Sequence, residues 1–171
     1  MKRRRPTVAI CYDFDGTLSP GNMQDYGYIQ GLKIAPKDFW KEAKRLAREQ
    51  EADEILAYMY LMVDKSHGQE GVRVTFKAFK DFGRKLELYK GVKGWFDRIN
   101  SHASKLGITC EHYIISSGIK EMIEGSSISK KFKKIYASSF IYDKYGKAVW
   151  PALAVNYTTK TQFLFRINKG Q

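Results

Sequence analysis

Two aspartates one residue apart, Asp13 and Asp15, follow the apolar, β-favouring run Thr7-Val8-Ala9-Ile10-Cys11-Tyr12 and open the hexapeptide Asp13-Phe14-Asp15-Gly16-Thr17-Leu18. A buried strand is predicted over the run, and α/β folds place their chemistry at the carboxyl ends of such strands. Alternate strand residues share a face, so Asp13 and Asp15 can converge on one small volume while Phe14 packs elsewhere. Gly16 lets the chain turn sharply and Thr17 adds a hydroxyl. Neighbouring carboxylates repel, and they persist together where a cation or a shared proton relieves the repulsion. Magnesium is the simplest such cation, since it takes one or two carboxylates, several waters and a substrate phosphate. One aspartate could then attack phosphorus while the other carries protons. An Asp-Gly turn after a strand is also an ordinary structural feature with no chemistry attached. The first aspartate, the apolar run and the threonine weigh toward a site.

A second strand is predicted over 108–115, running into Tyr113-Ile114-Ile115-Ser116-Ser117-Gly118 and a helix over 119–124. That ending places hydroxyls and exposed backbone amides at a helix N-terminus, where an anion is well served. Read alone, Ser116 or Ser117 is more simply a helix N-cap. Lys160 falls in the first turn of a helix expected from about 158. A cation there is disfavoured by the helix dipole unless an anion lies nearby. A solvated surface lysine fits the same residues.

Between the two strands lie about seventy residues, too many for a plain connection. Helices are predicted over 35–50, with Phe39, Trp40, Ala43, Leu46 and Ala47 as an apolar stripe, over 52–63, and over 75–86, with Phe76, Phe79 and Phe82. Ser66-His67-Gly68-Gln69-Glu70-Gly71 breaks the pattern. The aromatic and methionine stripes read as packing within this bundle, so they name no substrate contacts. His67 and His102 have no partner at metal-ligand spacing and read as ordinary. The chain then returns to β/α units: a helix to about 106, the second strand, and strands over 135–142 and 148–155 around the turn Asp143-Lys144-Tyr145-Gly146.

Asp13-Phe14-Asp15-Gly16-Thr17-Leu18 resembles the first motif of the haloacid dehalogenase superfamily, most of whose members are magnesium-dependent phosphohydrolases. The apolar strand ending at Ser116 resembles its second motif, and Lys160 takes the place of its third. The resemblance implies an α/β, Rossmann-like parallel sheet core with an inserted helical cap: core at 1–19 and 89–171, cap at 20–88. It implies Asp13 as nucleophile and Asp15 as general acid and base, both at the magnesium ion. Thr17, Ser116, Ser117, Gly118 and Lys160 become the phosphate contacts. The aspartate at 15 favours phosphatase chemistry over dehalogenation, because an alkoxide leaving group needs a proton. The expected activity is hydrolysis of a small phosphomonoester through an aspartyl phosphate, on the phosphoserine-phosphatase-like side of the superfamily. The family's fourth motif, an acidic pair, is not matched, so the core is expected to be C-terminally incomplete and turnover impaired. On that expectation the first strand is left as an exposed apolar edge through which copies of the chain can associate. A phospho-ligand-binding or scaffold protein without turnover is the alternative.

Composition sets the outer bounds. The 171 residues are 43% apolar and 14% aromatic, a globular composition for one ordinary core. No stretch suggests a signal peptide or a membrane span, and a cytoplasmic location is the expectation. Cys11 and Cys110 each sit on an apolar strand and read as free thiols. Thirty basic residues against eighteen acidic give a net charge of +12, which raises a polyanion-binding module as a third reading. No helix-turn-helix, zinc-finger or RNA-recognition signature accompanies the charge. Asp143 is the last acidic residue, and the 28 residues after it carry Lys144, Lys147, Lys160, Arg166 and Lys169. The excess is therefore partly regional, which argues against a nucleic-acid partner.

Overall fold

The computed structural model describes residues 5–67 and 73–170. The apolar run forms β1 (Thr7–Tyr12), which pairs in parallel with β2 (Thr109–Ile119), and β2 pairs in parallel with β3 (Lys134–Tyr142). β4 (Ala148–Leu153) returns antiparallel to β3, giving the order β1-β2-β3-β4. Asp143 shapes the connecting turn, its Oδ1 accepting from Tyr145 N and Lys147 N at 2.8 and 2.9 Å. β1 thus forms one edge of the sheet, with Val8 45% exposed.

Seven helices surround the sheet among the described residues: α1 (Tyr28–Gly31), α2 (Pro36–Glu49), α3 (Glu54–Ser66), α4 (Phe76–Gly83), α5 (Val92–Lys105), α6 (Lys120–Gly125) and α7 (Lys160–Asn168). Local sequence explains their starts. Pro36 opens α2, where a missing N–H costs nothing. Asp53 caps α3 and Thr75 caps α4, each side chain accepting from backbone N–H groups of the first turn. Phe39, Ala43 and Ala47 recur at helical spacing on the buried side of α2.

Period-two alternation along β2 divides the interior. Ile114 faces the larger core, with Phe14, Met23, Phe39, Met59, Phe79, Phe96 and Met122. Tyr113 and Ile115 face a smaller cluster with Tyr136, Val155 and Phe163, closed by α7. Of the helices between the first two strands, α2 and α3 form a hairpin toward the carboxyl end of the sheet. α4 instead packs along α6 beside β3.

Two features depart from the sequence reading: β1, expected as a buried strand, has no buried residue because it forms the sheet edge, and β2 is longer than expected. β2 does not stop at 115: it runs to Ile119, with its register against β3 broken between Ser116 and Ile119. Ser116, Ser117 and Gly118 therefore lie in irregular strand rather than in a turn between strand and helix, while the short helix expected over 119–124 forms as α6. The break expected over 66–71 coincides with the end of α3 at Ser66, but residues 68–71 lie outside the described residues. Among the described residues no helix is long and apolar enough to cross a membrane.

Candidate active site

The carboxyl end of β1 delivers the first group. Cys11 packs with the α7-facing cluster, and Asp13, two residues on, continues toward that face. Lys160 is the first residue of α7, and its Nζ lies 2.6 Å from Asp13 Oδ2. The other carboxylate oxygen, Oδ1, accepts from Phe14 N at 2.8 Å. Phe14 points the opposite way and is fully buried. The chain then reverses: Gly16 sits at φ 73°, a left-handed conformation costly for other residues, and Thr17 N and Leu18 N both donate to Phe14 O.

That reversal turns Asp15 inward, where its Oδ1 accepts from Met23 N at 3.2 Å. Burial pushes its carboxyl up to about 7, and the negative charges of Asp13 and Asp25 push the same way. Met23 N–H and Lys160 only partly offset this. Asp15 therefore lies close to neutral in its titration, the range in which a carboxyl group both gives and takes protons efficiently.

The end of β2 faces these carboxylates. Ser116 is buried, and its Oγ accepts from Gly118 N at 3.0 Å. Gly118 is there for space: a Cβ would collide with the Met23 thioether and stand 3.3 Å from Asp15 Oδ2. The Ser117 carbonyl accepts from Tyr58 Oη at 2.6 Å, which ties this segment to α3.

Between the strand ends and the α2–α3 hairpin lies a cavity of about 180 Å³. Its floor is Asp13, Asp15, Ser116, Ser117 and Gly118, and its walls include Trp40 and Lys44 from α2 and Glu54, Ile55 and Tyr58 from α3. Asn22 and Gln24 enter from the loop after β1. Gln24 is almost fully buried, and its Oε1 has no hydrogen-bond partner among the described residues. A larger cleft of about 740 Å³ lies between α3 and β4, but its walls are largely apolar, from Leu56, Tyr60, Val63, Val149 and Trp150.

Six of the seven residues singled out from the sequence thus meet at one place: five in the cavity floor, and Lys160 on Asp13 just outside the lining. Thr17 is exposed and does not line the cavity. Sequence reasoning missed Trp40, Tyr58, Asn22, Gln24, Lys44 and Glu54. Trp40 lay within an apolar stripe that does pack, yet its Nε1 donates to Asp25 Oδ1 at 3.1 Å beside the cavity. A polar partner for an indole N–H cannot be read from spacing. Among the described residues no group of three or more Asp, Glu, His and Cys side chains gathers, so Asp13 and Asp15 are the acidic donors at the strand end.

The architecture, a mainly parallel four-stranded sheet with helices packed around it, is that of the HAD-like hydrolases. An HAD-family hydrolase from Salmonella enterica serovar Typhi superposes with a TM-score of 0.67 at 15% identity, covering 95% of this chain and 51% of that one. The present chain thus spans about half the length of that relative. A phosphoserine phosphatase caught as a phospho-aspartyl intermediate analogue gives 0.64 at 15% identity, with 96% and 72% covered. No family model matches the sequence. The chain belongs to the same family as an uncharacterized protein of Borreliella burgdorferi, to which it is 31% identical over 99% of its own length and 67% of the relative's.

Proposed function

We propose that the chain is a phosphatase-type hydrolase that cleaves a small phosphomonoester through an aspartyl phosphate on Asp13. The observation that carries this reading is the convergence of Asp13, Asp15, Ser116 and Gly118 around one cavity with Lys160 seated 2.6 Å from Asp13. Asp13 attacks phosphorus with a carboxylate oxygen, forming one P–O bond as the ester P–O bond breaks. Asp15, its carboxyl held near 7 by burial, gives its proton to the departing alkoxide. In the second half Asp15 takes a proton from water, which attacks the acyl phosphate and releases inorganic phosphate. Ser116 and Lys160 offset charge on the phosphoryl oxygens, as phosphoryl transfer requires. Thr17 joins them only if the loop after β1 moves inward, since it stands exposed.

The hard oxygens of the Asp13 carboxylate and the Asp15 carbonyl fit a magnesium ion, which keeps most of its waters and accepts so short a protein ligand set. When bound, the ion supplies positive charge at the phosphate. The α2–α3 hairpin serves as the cap that excludes bulk water, with the core formed by the sheet, α5, α6 and α7. The cavity of about 180 Å³ suits a small phosphorylated metabolite as the substrate.

A panel of small phosphomonoesters with magnesium, run against Asp13→Asn and Asp15→Asn, tests the reading. Phosphate release by the parent chain and none by either variant is expected, and equal release by Asp13→Asn overturns the assignment. The short acidic donor set also supports a second reading, a phospho-ligand-binding protein without turnover. That reading predicts saturable phosphate binding in the same screen with no release.

A further inference from the structure

Asn156 joins two parts of the molecule that lie 103 positions apart. Its Nδ2 donates to Asp53 Oδ2 at 2.7 Å. The other oxygen of Asp53, Oδ1, accepts from Ile55 N at 2.9 Å and Leu56 N at 3.0 Å and so starts α3. One carboxylate therefore both caps the helix and receives the amide. On its other side Asn156 builds the turn into α7. Its Oδ1 accepts from Thr159 N at 2.9 Å and from Thr158 Oγ1 at 2.7 Å. Its carbonyl accepts from Lys160 N at 3.1 Å, and Lys160 reaches Asp13 from that turn. Both ends of the Asn156 amide are thus engaged, a donor toward the hairpin and an acceptor toward the lysine turn.

α3 has a second tether. Tyr58, one helical turn after Glu54, donates to the Ser117 carbonyl. The same helix that walls the cavity therefore grips the end of β2 through Tyr58 and the lysine turn through Asp53. Neither Asp53 nor Asn156 lines the cavity, so any effect they have on a bound phosphate runs through other residues.

We infer that Asp53 and Asn156 form a latch that couples the seating of α3 over the cavity to the placement of Lys160 on the phosphoryl-accepting side chain. Both are positioning residues, and the inference rests on the phosphoryl-transfer reading above. Coupling of this kind is reciprocal. An anion held beside Lys160 steadies the 156–160 turn and, through the latch, the first turn of α3. Lifting α3 frees the lysine.

The test uses inorganic phosphate as the probe and amide hydrogen exchange with phosphate titration as readouts, on the whole chain and two variants. Asn156→Asp keeps the acceptor toward Thr159 N but sets two carboxylates against each other. Asp53→Asn combined with Asn156→Asp restores one donor and one acceptor with the direction reversed. In the parent chain phosphate should slow exchange at Ser117, Gly118 and Lys160 and also at Ile55 and Leu56. Asn156→Asp should lose the protection at Ile55 and Leu56 and bind phosphate about tenfold more weakly, and the double variant should recover both. Because Ile55 lines the cavity and Tyr58 also ties α3 to Ser117, the latch is read from the loss of the Ile55 and Leu56 protection in Asn156→Asp while Ser117 and Gly118 stay protected. Protection at Ser117, Gly118 and Lys160 with none at Ile55 and Leu56 in the parent chain overturns the latch and leaves the functional reading standing. Protection nowhere overturns both. If Asn156→Asp does not fold, Asp53→Ser takes its place, keeping a capping oxygen for α3 but too short to reach Asn156: loss of the phosphate protection at Leu56 is expected, and retained protection there overturns the latch.

Discussion

β1 feeds two polar clusters, one from its last residue and one from the turn beyond it, and they are built on opposite terms. Tyr12 enters a chain centred on the buried His112 in which every link is paired: Trp95 Nε1 donates to Tyr12 Oη at 2.9 Å, Tyr12 lies 2.9 Å from His112 Nδ1, and His112 Nε2 lies 2.9 Å from Asn100 Oδ1. Since Asn100 Oδ1 only accepts, His112 carries its proton on Nε2 and its Nδ1 accepts from Tyr12. Phe96 and Phe132 pack their rings edge-on around this chain. One residue later the pattern inverts. Asp13 and Asp15 bring like charges together, burial holds Asp15 up near 7, and Gln24 Oε1 beside them has no partner among the described residues. Satisfied polar networks fix a scaffold, and unsatisfied ones mark where a ligand completes the structure.

The contrast can be broken by substitutions on either side. The largest effect belongs to Asp13→Asn, which should cut phosphate release at least about a thousandfold. Its thermal stability should barely move, since the ion pair it loses is partly exposed and worth under about 1 kcal/mol. His112→Ala should do the reverse, lowering unfolding free energy in urea by about 2–4 kcal/mol because Tyr12 and Asn100 lose their partner and a cavity opens. Phosphate binding by the folded fraction should be unchanged. An activity loss in His112→Ala without a stability loss would erase the distinction between the two clusters.

Asp15→Asn sharpens it further. A carboxyl raised on folding binds protons in the native state that the unfolded chain releases, so it destabilises the fold as pH rises toward 7. Removing it should stabilise the metal-free protein by about 1–3 kcal/mol above pH 7, with the gain vanishing below about pH 4, while turnover is lost. His112 has the opposite dependence on acid. Burial, with the charge of Lys131, holds its imidazole below the ordinary value, so the unfolded chain takes up the proton first. Stability should therefore be full above about pH 6.5 and fall as pH drops below it. Urea titrations across that window should show a slope that His112→Ala reduces. The smallest effect concerns the open β1 edge: light scattering at high concentration should detect self-association that Val8→Lys diminishes, and a strictly monomeric parent chain would remove that expectation.

Local chemistry made much of the scaffold legible. The apolar run became β1, though at the sheet edge and not buried as expected, Pro36 and Thr75 opened the helices their types suggest, and Asp143 turned β3 into β4. The strand-end carboxylates, serines and glycine also met where an α/β reading puts them. Contacts set by packing over long separations stayed hidden. Tyr58 reaches Ser117 across 59 positions, Tyr12 reaches His112 across 100, and Asn156 reaches Asp53 across 103. Each depends on a rotamer and a register that periodicity does not encode. The broken register of β2 against β3 is of the same kind, since close packing at Gly118 against Met23 and Asp15, not local preference, shapes that segment.

Whether Asp13 accepts phosphorus is open to direct measurement by fluorine NMR of the chain with magnesium and beryllium fluoride, a mimic of the aspartyl phosphate. A bound fluoride signal in the parent chain, absent in Asp13→Asn and present in His112→Ala, is the expected result. No bound signal in the parent chain, or an undiminished one in Asp13→Asn, would contradict the assignment of Asp13 as the nucleophile.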